Sequence, residues 1–378
     1  TVDHLYAALS PDATRIMFMT DFYVEDAQEG DEKEAGQGDW MIIDVPGPDE
    51  VRPPTSNVEN VGNARLLQFD DPDRGVTERT SDEFGQDVTV SERFKGEVSW
   101  IDNERFVGVM QNANGFERLF MWRVLPANVF NEYPVDPMGV VEQDTLLERR
   151  AEAVQRIQFH YRAPAVSPDG QWIAYSRYFY NPGPLAFDPS DDIFEQPAIF
   201  AFNLDDGRVV RVTNGSALEN DPTWSPDGNS IAFVAMGEAG QPEIYRVPFD
   251  PSQSVDIRQG GEPFTDGRQR LTFTTSALQL PESSFEPTWM RNGRIVFTST
   301  RRAPCSPRRI RNLWVMNGDG SDQRALVISD EDDKMPNAAN YDFAAPEADG
   351  LIVFSSRRNR DEAFDGQKED LWVIRGGL

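Results

Sequence analysis

Thr223-Trp224-Ser225-Pro226-Asp227-Gly228-Asn229-Ser230-Ile231-Ala232-Phe233-Val234 is the stretch on which the fold of this chain turns. Pro226 presets the first dihedral of a tight turn, Asp227 bonds its own backbone, and Gly228 supplies a positive φ. The apolar runs on either side then read as two antiparallel strands joined by a hairpin. Ala165-Val166-Ser167-Pro168-Asp169-Gly170-Gln171-Trp172-Ile173-Ala174-Tyr175-Ser176 repeats the plan closely. Looser copies run from Leu9-Ser10-Pro11-Asp12 into Arg15-Ile16-Met17-Phe18, and from Trp100-Ile101-Asp102-Asn103 into Arg105-Phe106-Val107-Gly108. Two more run from Trp289-Met290-Arg291-Asn292-Gly293 into Arg294-Ile295-Val296-Phe297, and from Glu347-Ala348-Asp349-Gly350 into Leu351-Ile352-Val353-Phe354. A strand, a turn and a second strand therefore recur six times along the chain.

A third strand follows in each unit, as in Trp40-Met41-Ile42-Ile43, Leu119-Phe120-Met121-Trp122 and Leu313-Trp314-Val315-Met316. A fourth is visible in Arg208 to Thr213, Gln269 to Phe273 and Gln323 to Val327. Short antiparallel strands in groups of four, repeated around a chain, describe a β-propeller. The expectation is an all-β, six-bladed propeller occupying 1–378 as one domain, with blades near 5–70, 96–140, 161–214, 221–275, 286–329 and 341–378. Between the second and third blades, Gln143 to Gln158 breaks the pattern. Thr145-Leu146-Leu147-Glu148 resembles a capping box, and Leu147, Ala151, Val154 and Ile157 share a helical face, so a short helical insertion over 143–158 is expected. The last blade ends at Leu371-Trp372-Val373-Ile374 with four residues beyond, so its fourth strand is expected from residues upstream of Thr1, the rival being an open edge for a partner strand.

The Ser-Pro-Asp-Gly turn followed by Ile-Ala-Phe, together with Asn312-Leu313-Trp314-Val315-Met316-Asn317-Gly318-Asp319-Gly320-Ser321, resembles the TolB-type propeller repeat. The resemblance extends over nearly the whole chain, although the small α/β domain that precedes the propeller in TolB itself has no counterpart in this sequence. Related propellers serve as periplasmic partner-binding modules, peptidase gating domains and subunits of larger complexes. The resemblance therefore implies the fold more sharply than the function.

Composition narrows the choice. The chain carries 64 acidic against 36 basic residues, a net charge of −28. Such a surface repels nucleic acid and anionic membrane, and suits a protein kept soluble in high salt or docked on a basic partner. One cysteine, Cys305, excludes an internal disulfide, and two histidines, His4 and His160, exclude a His-rich metal centre from this chain alone. No run of apolar residues is long enough to span a membrane. With no Gly-x-Ser-x-Gly elbow, no Walker A loop and no dinucleotide fingerprint, the sequence shows no nucleophile paired with a base. His160, in Gln158-Phe159-His160-Tyr161, reads as a structural or rim histidine. Cys305 lies among arginines, which would activate its thiol if exposed. No cofactor is called for. Ca²⁺ is the only metal the oxygen-rich composition favours, at Asn317 to Asp322 or Asp330 to Asp333.

Loop lengths then choose a face. The turns between first and second strands are tight, whereas the second-to-third connections on the opposite face are long in four units. Tyr178-Phe179-Tyr180-Asn181-Pro182-Gly183-Pro184-Leu185-Ala186-Phe187 offers stiff aromatic anchors, so Tyr178, Phe179, Tyr180, Leu185 and Phe187 are candidate partner contacts. Arg301 to Arg311 holds five arginines, and the equivalent loop of the next unit adds Arg357, Arg358 and Arg360. Arg177, Arg301 and Arg357 recur at one repeat position and belong to the repeat. Arg302, Arg308, Arg309, Arg311, Arg358 and Arg360 are left as candidates for an acidic partner or a phosphate. The expected function is a non-catalytic interaction subunit of a cell-envelope or membrane-associated complex, exported to the periplasm or cell surface. The rivals are a small-ligand or carbohydrate-binding propeller, and a hydrolase or lyase using the central channel.

Overall fold

A computed structural model describes residues 4–20, 39–45, 65–68, 77–81, 87–91, 93–111, 117–128, 133–142, 158–181, 193–253, 255–257, 267–273, 282–301, 312–327, 351–356 and 370–374. In chain order the first blade comprises β1 (His4–Leu9), β2 (Arg15–Thr20), β3 (Asp39–Asp44) and β4 (Arg65–Gln68). A separate hairpin follows, β5 (Thr77–Ser81) with β6 (Asp87–Ser91). The second blade is β7 (Arg93–Trp100), β8 (Arg105–Gln111), β9 (Glu117–Val124) and β10 (Tyr133–Glu142), and the third is β11 (Gln158–Val166), β12 (Trp172–Asn181), β13 (Ile193–Asn203) and β14 (Val209–Arg211). The fourth is β15 (Asn220–Trp224), β16 (Ser230–Met236), β17 (Pro242–Pro248) and β18 (Gln269–Arg270), and the fifth is β19 (Ser284–Trp289), β20 (Arg294–Ser299), β21 (Asn312–Asn317) and β22 (Arg324–Val327). Last come β23 (Ile352–Ser356) and β24 (Asp370–Ile374), a two-stranded sheet.

The fold is thus an all-β propeller of four-stranded antiparallel blades, as the repeat implies, but five complete blades are seen among the described residues, not the six expected. The sixth unit contributes only β23 and β24 among the described residues. Its apolar faces explain why it still holds a place in the ring. Ile352 and Phe354 pack with Met290, Val296, Leu313 and Val315 of the fifth blade, while Leu351 and Val353 pack with Ala7, Leu9, Ile16 and Phe18 of the first. The helical insertion expected over 143–158 lies outside the described residues except for Gln158, which begins a strand. Among the described residues there is no α-helix; the single helical turn is a 3₁₀ turn at Pro251–Gln253.

Two features depart from regular repetition. The outer strands of the first two blades pair in parallel, Tyr133 opposite Leu67 and Pro134 opposite Gln68, which fuses those blades into one eight-stranded sheet. Arg65 reinforces the seam by donating to the Tyr133 hydroxyl at 2.9 Å. In the third blade, β12 continues through Tyr178, Phe179 and Tyr180 to Asn181, paired with β11 on one side and β13 on the other. These aromatics, expected in a loop, therefore lie on an extended hairpin.

The turns behave as their sequence requires. Ser225 Oγ donates to Asp227 Oδ1 (2.6 Å) and accepts from the Ser230 amide (2.9 Å), while Asp227 Oδ1 accepts from the Asn229 amide (3.0 Å). Gly228 has φ +70° and closes the turn with its amide on the Ser225 carbonyl. Ser10 and Ser167 repeat the arrangement with Asp12 and Asp169. Between blades, the tryptophan ending an inner strand reaches its neighbour: Trp100 Nε1 donates to the Ala8 carbonyl (3.1 Å), and Trp224 Nε1 to the Ala165 carbonyl (2.9 Å).

Candidate functional site

The inner strands β1, β7, β11, β15 and β19 lie side by side around the ring. Four of them share a bulge whose extra residue is left-handed although it is not glycine: Glu97 (φ 54°), Ala163 (φ 48°), Asp221 (φ 52°) and Glu286 (φ 49°). Each stands three residues before the end of its strand. Such backbone is costly for a residue with a Cβ, and concentrates where the surrounding structure imposes it. The bulge re-aims the side chain, so that Glu97 of the second blade and Asp221 of the fourth feel one another across the third.

Arg162 of β11 sits between them. Its Nη1 lies 3.7 Å from Glu97 Oε1, and it donates to the Tyr178 hydroxyl. Burial works against the guanidinium charge, but Glu97, Glu117 and Tyr178 overrule it and hold its pKa above the usual value. Glu97 Oε2 also accepts from the Ala163 amide. Burial raises the Glu97 carboxyl despite these partners. Asp221 is affected most: burial first, then the Glu97 charge, push it up to about 7, with Arg162 offsetting only in part. Its carboxyl has no hydrogen-bond partner among the described residues.

A second acid closes the cluster. Glu117, fully buried at the start of β9, accepts from the Tyr161 amide at 3.1 Å, and its Oε2 lies 3.3 Å from His160 Nδ1. The imidazole stacks on Tyr178, with ring centroids 4.6 Å apart at 16°. His160 is therefore held between an acid and a ring, in keeping with a structural or rim histidine. Three carboxylates thus converge on one arginine and one histidine where the second, third and fourth blades meet. Sequence reading missed Glu97, Glu117, Arg162 and Asp221 because each is one charged residue among many, and no signal common to the four marks them.

Of the expected partner contacts, Tyr178 belongs to this cluster. Phe179 and Tyr180 continue the same strand, their side chains lying outside the described residues. Leu185, Phe187, Arg302, Arg308, Arg309, Arg311, Arg358 and Arg360, with Cys305, also lie outside them. Two of the repeat arginines can be placed. Arg177 stacks over Phe200 at 4.0 Å, and Arg301 lies over Phe297 and Trp314 and donates to Gln323. Arg301 also feels the charges of Glu243 and Glu282, although burial lowers its pKa overall. At the expected Ca²⁺ position, Asp319 Oδ1 accepts from the Ser321 amide (2.9 Å) and hydroxyl (2.6 Å), the bonding of an ordinary turn. Asp330 to Asp333 lie outside the described residues. Among the described residues no group of three or more His, Cys, Asp or Glu side chains is placed to hold a metal ion, and no helix is long and apolar enough to cross a membrane.

Comparison with known proteins agrees with the repeat. Over 83 residues, 22% of this chain, the sequence is 30% identical to the Tol-Pal system protein TolB of Francisella tularensis subsp. mediasiatica (strain FSC147), and the same holds for TolB of subsp. holarctica (strain LVS). The matched stretch spans 16% of the length of those relatives. No protein-family profile matches the chain. Among solved structures, a putative TolB from Agrobacterium tumefaciens is similar with TM-score 0.46 and 15% identity, covering 86% of this chain and 80% of that one. A puromycin-hydrolyzing peptidase from Mycobacterium tuberculosis is similar with TM-score 0.45 and 14% identity, over 93% of this chain and 43% of that one.

Proposed function

We propose that this propeller is a non-catalytic interaction module, a subunit of a cell-envelope or membrane-associated complex working in the periplasm or outside the cell. The carrying observation is the 30% identity over 83 residues to TolB, a protein named for the Tol-Pal system. The axial cluster is compatible with this reading, since Arg162 pairs with Glu97 and His160 faces Glu117. We assign docking to the face bearing the second-to-third strand connections, because the sequence from Tyr178 to Phe187 and the arginine-rich stretches of the fifth and sixth units fall in or lead into those connections. The test is capture of stoichiometric partners by the tagged chain from native membranes. A Ser substitution at Arg308, Arg309 and Arg311 together is expected to weaken the captured complex. Absence of any partner, with a small molecule co-purifying instead, would replace this reading by a ligand-binding one.

A further inference from the structure

We propose that, on the docking face, the end of the fourth blade seats an apolar side chain of a partner protein between Leu218 and Phe273. The inference rests on the docking reading and names what that face grips. The second-to-third connection of the fourth blade is a short turn, from Met236 to Pro242, closed by the Gly237 amide on the Gln241 carbonyl (2.8 Å). The third blade leaves β12 at Asn181 and enters β13 only at Ile193, and the fifth leaves β20 at Ser299 and enters β21 only at Asn312. The fourth blade therefore carries less chain at this end than either neighbour.

Two apolar side chains flank that turn. Leu218, 40% exposed, lies in the connection entering the blade, and the carbonyl of its neighbour Ala217 accepts from the Met236 amide at 2.7 Å. Phe273, 58% exposed, lies in the connection leaving the blade, with Arg270 over its ring at 4.8 Å. Arg270 in turn packs on the turn, where a Cβ at Gly237 would come 3.4 Å from its Nη2. Leu218 has left-handed backbone (φ 53°), fixed on its other side by the Glu219 amide on the Pro197 carbonyl (3.0 Å). Glycine or asparagine would hold that conformation at lower cost. What leucine adds is apolar surface, which gains only when a partner takes it out of water.

Charge decides the occupant. Two buried acids adjoin these residues and each is matched, Glu219 by Arg268 at 2.9 Å and Glu243 by Arg270 at 2.8 Å. Glu238, exposed on the turn, needs no partner. With its acids paired, this spot calls for an uncharged occupant, a leucine- or phenylalanine-like side chain from a stretch without charge. A second copy of the chain does not suit it, because a two-fold contact would press together two bodies of charge −28.

The experiment uses the full tagged chain and native membranes, and compares how much partner is retained by wild type, by the double variant Leu218→Asn, Phe273→Ser, and by Val255→Ser. Asparagine suits left-handed backbone, so the fold is kept, which thermal melts verify. Val255, 51% exposed, lies between β17 and β18 on the opposite face and is the control. The double variant is expected to retain at least about tenfold less partner, and Val255→Ser to change retention less than about twofold. Photocrosslinking from a benzoylphenylalanine in place of Phe273 then reads the occupant. The expected adduct lies on a different protein, at an apolar residue without charged neighbours. No adduct, an adduct on a second copy or on a charged segment, or equal loss by the double variant and Val255→Ser would overturn the proposal. If all three forms retain the partner equally, this inference falls while the docking reading stands. Capture of no partner by wild type removes the docking reading and this inference with it.

Discussion

Thr272 shows how single residues hold the blades. Its hydroxyl donates to Glu243 Oε2 at 2.7 Å and accepts from the Ile244 amide at 2.8 Å, and Arg270 Nη2 donates to Glu243 Oε1 at 2.8 Å. Thr213 does the same one blade earlier, donating to Glu219 Oε2 at 2.6 Å and accepting from the Ile199 amide at 2.8 Å, while Arg268 donates to Glu219 Oε1. In both cases a threonine after an outer strand ties that strand to a fully buried glutamate. Thr272→Val keeps the shape but strands a buried amide and a carboxylate oxygen, a loss of about 1–3 kcal/mol for each unsatisfied group. Urea denaturation is the measurement, and a change smaller than about 0.5 kcal/mol would mean that water replaces the hydroxyl. Neither threonine stands out by its residue type; the repeated Arg-x-Thr is visible only once the blades are aligned.

At the scale of an element, the inner-strand bulge decides where charge collects. An unbulged strand would keep strict alternation, with Glu97 and Asp221 one position out of phase with the residues that follow. The raised carboxyl of Asp221 sets a direction for stability against pH. Its folded value, about 7, lies above the unfolded value of about 3.9, so between them the folded state binds the more protons. This group's contribution therefore declines as pH rises from about 4 to about 7, and the penalty is complete above that. Asp221→Asn is expected to raise the melting temperature at pH 8, with a smaller gain at pH 5; an equal gain at both would show that the carboxyl titrates normally. The turn aspartates act in the opposite sense. Hydrogen bonds from Ser225 and the Asn229 amide lower the Asp227 carboxyl, so its contribution is present above the ordinary carboxylate range and is lost as pH falls through the lower folded value.

For the whole molecule, the net charge of −28 works against compaction through self-repulsion. Raising NaCl from about 0.1 M to about 1 M shortens the screening length from about 10 Å to about 3 Å, and the melting temperature is expected to rise. A fall under the same change would show that attractive pairs such as Arg268–Glu219 outweigh the repulsion. The hairpin of Ser225-Pro226-Asp227-Gly228, the strand alternation and the propeller class were legible because each depends on residues close in sequence. The repeat count was less so: six hairpins are written in the chain, but among the described residues the sixth unit shows two strands, placed by Ile352 and Phe354 on one neighbour and Leu351 and Val353 on the other. The axial cluster was not legible at all. Glu97, Glu117, Arg162 and Asp221 are far apart in sequence and lie among 64 acidic and 36 basic residues, so nothing local singles them out. By itself the sequence determined hairpins, repeat and surface charge, because these follow from local dihedral preference and composition. Only the tertiary structure decided which charges meet, because closing a ring brings together residues of blades that the chain keeps apart.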